Sequence, residues 1–261
     1  MSGFSVAWLD LRESADHAAR DPELLRQSLE WLAQKRNPTV VDLGSGTGST
    51  LRAFGGEATN LQWHLVDLDP TLLAEATRRH GATHQLATHI TDLTQLDRLP
   101  LADAALVTAS ALFDLASREF CDALVARLRL SGTGLYAALN YDGTTDWSPR
   151  HPLDGQVLQS FNRDQLRDKG FGPALGPGAT DYLASLFKKA GFRVSIKPSP
   201  WRLEVGNGLL VKELLRGIAA AAAAEQTLDK RALEAWLSFR LGNVAEGSCT
   251  IGHLDLLALP G

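Results

Sequence analysis

Apolar positions in this chain follow two spacings. Short, nearly continuous aliphatic or β-branched runs occur at 39–43, 61–67, 104–110 and 134–139, the pattern of strands covered on both faces. Between them, apolar residues recur every three to four positions, the pattern of helices with one buried stripe. Leu24, Leu25, Leu29 and Leu32 share one face of a helix that Asp21-Pro22-Glu23 opens with a cap, a proline and an acid. Asp69 and Pro70 open a helix over 71–80 in the same way. A helix is predicted over 47–54, and a third strand ends before Thr91. Further on, the spacing predicts a helix at 181–190 stopped by Gly191, a strand at 192–196, helices at 209–225 and 228–241, and a closing strand at 250–259. Residues 141–179 break the alternation. They are rich in Gly, Pro and Asp, contain one helix at 153–168, and read as an insertion after the fifth strand. Strands alternating with helices predict an α/β fold: a doubly wound, mostly parallel sheet with helices on both faces. Residues 1–37 precede the sheet as a helical flap, and 38–261 form the main domain.

Composition narrows the class. At 261 residues and 44% hydrophobic, the chain can bury one large core. Net charge is −4, and no Lys/Arg run is longer than Lys188-Lys189, so a nucleic-acid partner is not expected. Cys121 and Cys249 have neither metal spacing nor partners for a disulfide framework, and both fall in apolar patterns as inert core residues. No cationic start leads into an apolar stretch, and no segment is long enough to span a membrane. A cytoplasmic location is the expectation. The run of six alanines at 219–224 is explained by helix propensity alone.

Candidate chemistry concentrates where the first strand ends. Asp42-Leu43-Gly44-Ser45-Gly46-Thr47-Gly48 is a glycine turn between a strand and a helix. Gly44 and Gly46 leave room for a ligand to approach the backbone. The next strand ends in Asp67, one βαβ step later, where a carboxylate can accept hydrogen bonds from ribose hydroxyls. A dinucleotide fingerprint wants a third glycine where Ser49 stands. The acid at the head of the loop, Asp42, suits a ligand carrying an ammonium or sulfonium and repels a pyrophosphate.

Asp42 to Gly48 resembles the first motif of the class I S-adenosylmethionine-dependent methyltransferases. Val66-Asp67-Leu68-Asp69-Pro70 resembles the acidic loop after that family's second strand. Thr91-Asp92-Leu93, 104–110 and 134–139 continue the match. The resemblance implies a seven-stranded sheet with an antiparallel last strand and S-adenosyl-L-methionine bound by Asp42, Gly44, Ser45, Gly46, Asp67, Leu68, Asp92, Leu93 and Ser110. Arg12 is a candidate for the cofactor carboxylate, with a surface ion pair as its competing use. Asp69 reads as a helix cap.

For the acceptor, Asp114 and His151 are candidate bases. Asp114 competes with Ser117 for the cap of the following helix, and for His151 the commoner reading is an exposed loop residue. Asn140, Tyr141 and Trp147 are candidates for the acceptor pocket, with turn chemistry or core packing as alternatives; Trp8 and Trp201 are weighed in the same way. His253 and Asp255 share a face of the last strand and read as structural. No Asp/Asn-Pro-Pro-Tyr/Phe and no Pro-Cys follows the fourth strand, which reads Ser110-Ala111-Leu112-Phe113; base methylation is therefore not expected and a small-molecule acceptor is. Gly170, Gly172, Gly176 and Gly178 are expected to give the insertion the mobility of a lid. Two other readings share this layout: a non-catalytic S-adenosylmethionine-binding scaffold or sensor, and a nicotinamide-dependent oxidoreductase, which the absent third glycine disfavours.

Overall fold

The computed structural model describes residues 4–261. Two helices come first, α1 (Val6–Ala19) and α2 (Pro22–Ala33). The sheet then begins with β1 (Thr39–Leu43), followed by α3 (Ser49–Ala53), β2 (Gln62–Asp67), α4 (Pro70–His80), β3 (Gln85–Ile90), β4 (Ala104–Ser110), α5 (Arg118–Ser131) and β5 (Gly134–Ser148). The insertion holds α6 (Asp154–Asp164) and leads into α7 (Ala179–Lys189), β6 (Phe192–Pro198), β7 (Trp201–Leu203), α8 (Gly208–Ala224), α9 (Lys230–Gly242) and β8 (Ser248–Pro260). Among the described residues no helix is long and apolar enough to cross a membrane.

The strand order is β3-β2-β1-β4-β5-β8-β6. β1 to β5 pair in parallel, and β8 runs antiparallel between β5 and β6. Order reverses between β1 and β4, and at such a point an open α/β sheet leaves a crevice at its carboxyl edge. Side chains alternate across the strands. Val41, Leu43 and Val107 face a core under α5 and α7, whereas Val40, Leu65 and Leu106 face one under α2, α3 and α4. A third core joins α1, α6, α8 and α9 over the far ends of β5 and β8, with Trp147, Trp201 and Trp236 buried in it.

Four local departures from the expected pattern have physical causes. The sheet has an eighth strand, because β8 outruns β6 and its free outer half pairs with β7 through Trp201 and Ile251. The helix after the glycine turn lasts only five residues, since Gly55 adopts a positive φ of 62° and a 3-10 turn follows. β5 continues to Ser148, so 141–148 are strand rather than the start of the insertion; polar Asp142 and Thr144 hide this by occupying an irregular stretch where the β5–β8 register shifts. In the insertion, α6 stops at Asp164, and Asp168 then turns the chain by accepting hydrogen bonds from the amides of Gly170 and Gly172.

Candidate functional site

The glycine turn lies at the crevice. Gly44, Gly46 and Gly48 have φ values of 64°, 53° and 84°, which L side chains rarely adopt. A Cβ on Gly46 would stand 2.9 Å from Leu9 of α1, so the turn and α1 are in close contact. Beside the turn is a cavity of about 430 Å³. Its wall includes eight residues singled out from the sequence: Arg12, Gly44, Gly46, Asp67, Leu68, Asp92, Leu93 and Ser110. Asp67 accepts from the amides of Gly46 (2.9 Å) and Asp69 (3.0 Å), so one carboxylate ties the glycine turn to the following loop. Burial raises its pKa, against the pull of those amides. Asp92 accepts from the amide and hydroxyl of Thr94, which closes its own turn.

Asp42 and Ser45 are buried and lie off this wall. Asp42 accepts from the Thr108 hydroxyl at 2.7 Å, and its other oxygen has no partner. Burial pushes its carboxyl up to about 6, opposed in part by Thr108 and Arg20. Ser45 holds the turn through its amide, which donates to Val66 O, and its hydroxyl lacks a partner. Both therefore brace the turn from within. Asp69 accepts from the Thr71 amide as the cap of α4.

A second cavity, of about 570 Å³, adjoins the first and shares Phe4, Arg12, Ala111 and Leu115 with it. Trp8, Tyr141, Phe161, Trp201 and Ile218 make it largely apolar, and Asp114 and His253 sit on its wall. Ser117 caps α5 by accepting from the Phe120 amide, which leaves the Asp114 side chain free of that task. Asp114 is buried, its Oδ1 has no partner, and burial pushes its carboxyl up to about 6. His253 is also buried, its Nδ1 is unpartnered, and burial pulls it down to about 3, which keeps the ring neutral.

Other residues fall elsewhere. His151 lies outside both cavities: its Nδ1 accepts from the Leu153 amide and its ring packs on Phe239. Trp147 packs edge-on against Trp236 in the third core. Asn140 donates to Ala137 O and Leu254 O and so repairs the β5 irregularity; it lines neither cavity. Arg12 does reach both cavities, but two of its nitrogens hold Asp16, and its guanidinium lies 5.0 Å above the Trp201 ring. Asp255 accepts from the Asp21 and Leu139 amides and the Tyr136 hydroxyl, a structural role.

Some residues at or behind the walls carried no signal in the sequence. Arg20, at the end of α1, lines neither cavity; it is buried, donates to the wall residue Ser110 at 3.0 Å, and keeps Nε and Nη1 unpartnered. Gly217, Ile218 and Ala221 put α8, alanine run included, on the second cavity. Lys169, Gly170 and Phe171 bring the insertion over the first. Lys169 is paired with Asp164. Among the described residues no cluster of three or more His, Cys, Asp or Glu is arranged to hold a metal.

Residues 40–131 match the family described as "Methyltransferase domain". No curated protein sequence matches the chain. Among solved structures, the YcgJ protein of Bacillus subtilis is 13% identical with a TM-score of 0.51, over 92% of this chain and 100% of that one. A cyclopropane synthase of Mycobacterium tuberculosis is 13% identical, with a TM-score of 0.48 over 90% of this chain and 82% of that one. A phosphoethanolamine N-methyltransferase of Haemonchus contortus is 16% identical, with a TM-score of 0.47; the match covers 90% of this chain and 53% of that one, so the chain spans about half of that protein's length. Residues 40–131 thus carry a methyltransferase domain, and its glycine turn lies at the reversal of strand order in a sheet where β8 runs antiparallel.

Proposed function

We propose that the protein moves the methyl group of S-adenosylmethionine onto a small molecule held in the second cavity. The observation that carries this reading is that two cavities meet at Ala111 and Leu115, one beside the glycine turn and Asp67, the other beside Asp114. The residues present fit the cofactor. Three positive-φ glycines form the turn, Gly44 and Gly46 bare their backbone to the cavity, and Asp67 keeps acceptor capacity for ribose hydroxyls beyond its two amides. Leu68, Leu93, Leu112 and Phe171 give an apolar slot suited to a flat base. Ser110 lies on the wall with Arg20 behind it, and this unpaired buried guanidinium is a better counter-charge for the cofactor carboxylate than Arg12, which Asp16 already occupies.

When bound, the cofactor supplies a methyl group already activated by a positive sulfur. The chain's part is then alignment, exclusion of water and handling of one proton. Leu9, Trp8 and Phe4, from residues 1–37, close one side; Phe161 and 169–171, from the insertion, close another. Asp114 stands where a proton can be taken from the acceptor. Two free, buried cysteines suit a reducing cytoplasm.

Calorimetry with S-adenosylhomocysteine, followed by incubation with methyl-labelled S-adenosylmethionine and a metabolite extract, tests this. Saturable binding and a labelled small molecule are expected. No binding overturns the cofactor assignment, and binding without any labelled product overturns the catalytic reading in favour of a scaffold or sensor.

A further inference from the structure

The charge of the second cavity says more about the acceptor than its shape does. Its wall carries three ionised side chains besides the neutral His253: Arg12, Asp114 and Glu213. Arg12 is held by Asp16 with hydrogen bonds of 2.8 and 3.1 Å, and Asp16 also accepts from the Trp201 indole at 3.0 Å. Glu213 forms an ion pair with Arg216 one turn along α8. Asp114 alone has no ion-pair partner; Arg12 lowers its pKa only through space, while the same guanidinium is committed to Asp16. The ionised site therefore has one uncompensated negative charge, and no unpaired cation stands among its described wall residues.

Each acceptor class meets this wall differently. A phosphate or carboxylate would bring a second anion next to Asp114 with no cation to receive it, which the low-dielectric surroundings penalise. A neutral alcohol would leave the Asp114 carboxylate buried and without a counter-charge. An ammonium satisfies it, and the same wall carries two aromatic rings, Trp8 and Tyr141, of the kind that attract a cation. The neutral ring of His253 does not repel one. The remaining surface, from Leu115, Leu139, Phe161, Leu214, Ile218 and Ile251, asks for an apolar body.

We infer, granting the methyltransferase reading above, that the acceptor is an amine on a largely apolar body, bound as its ammonium against Asp114 and methylated on nitrogen. Asp114 takes one proton from the ammonium, which frees the nitrogen lone pair. That pair forms the new nitrogen–carbon bond as the methyl–sulfur bond breaks, and the electrons of the broken bond stay on sulfur. The product leaves as a methylated ammonium, and Asp114 passes its proton to solvent.

The test uses the full chain saturated with S-adenosylhomocysteine, so that cofactor binding is read first and independently. Three probes share one apolar body: phenethylamine, 2-phenylethanol and 3-phenylpropionate. Phenethylamine is expected to bind about ten-fold more tightly than the alcohol, and the carboxylate weakest. Asp114→Asn should remove most of the amine preference while S-adenosylhomocysteine affinity stays the same. Glu213→Gln, at a half-exposed position, should change the preference less than two-fold, about the level of an exposed paired charge. Equal binding of amine and alcohol, tighter binding of the carboxylate, or no binding of any probe to the loaded protein overturns the amine assignment and leaves the methyltransferase reading standing. If Asp114→Asn does not fold, the wild-type probe series decides alone. Failure to bind S-adenosylhomocysteine at all would instead sink the reading on which the inference rests.

Discussion

At the scale of single residues, carboxylates do most of the work and each does it differently. Asp67 is a structural tie and a proposed ligand at once, since its oxygens hold the Gly46 and Asp69 amides at the cavity wall. Asp67→Ala should weaken S-adenosylhomocysteine binding by about 2–3 kcal/mol, the scale of hydrogen bonds to a charged group, and Asp67→Asn by less; unchanged calorimetric affinity in the alanine variant would remove Asp67 from the site. Asp114 is held at about 6 by burial, above its ordinary 3.8. Between these two values the unfolded chain ionises while the folded chain keeps its proton, so stability is lost as pH rises from about 4 to 6 and stays lost above. Asp114→Asn lacks this loss. Its thermal stability should match wild type below pH 4 and exceed it at pH 7 by up to about 3 kcal/mol, with activity reduced. A melting difference that does not vary with pH would contradict the buried, unpartnered carboxylate. These residues were recognisable as acids at strand ends. Which one caps a helix and which stays free was not, because a cap depends on backbone geometry that Asp114 and Ser117 both offered on paper.

At the scale of elements, the long β5–β8 pair organises the second cavity. β5 shifts register twice against β8, and the irregular stretch brings Asp142 and Thr144 directly over Gly252. A Cβ there would collide with the Thr144 hydroxyl and the Asp142 carboxylate, so this glycine is needed for close approach, with an ordinary φ. Gly252→Ala should destabilise the protein by roughly 1–3 kcal/mol, as overpacking does, and disturb Tyr141 and His253 on the neighbouring register pair. An unaltered melting temperature would mean that the irregular stretch yields easily. Helix spans were legible wherever caps and periodicity agreed, as with α2 and α4, where Asp21-Pro22 and Asp69-Pro70 mark the start. The extension of β5 was not, because an irregular strand loses the alternation by which a strand is read. The use of α8 escaped for a related reason: small residues raise helix propensity and line a cavity equally well, and only the packing of α8 against α6 and α1 separates the two.

At the scale of the whole molecule, two halves of one chain are joined at a cleft. The parallel half supplies the glycine turn; α1 and the insertion reach both cavities, and the second cavity joins β5, β8 and α8 to Asp114 and Leu115 from the segment after β4. Cys121 and Cys249 sit in different cores, and burial raises both thiols above their usual range. Their reaction with an exposed-thiol reagent should therefore be slow in the native protein and speed up with denaturant in step with unfolding; fast labelling of the native state would show that one core opens locally. The sequence by itself determined the layered α/β plan and pointed to the glycine turn with Asp67 beside it, because those depend on local signals: runs of apolar residues, helix caps, and a glycine turn followed by an acid one step later. Only the tertiary structure decided the second cavity. It turned His253 toward Trp201, sent His151 and Trp147 elsewhere, and brought Arg20 behind Ser110. The physical reason is that this pocket is assembled from segments as distant as Phe4 and His253, so its charge balance exists only where the folded chain brings them together.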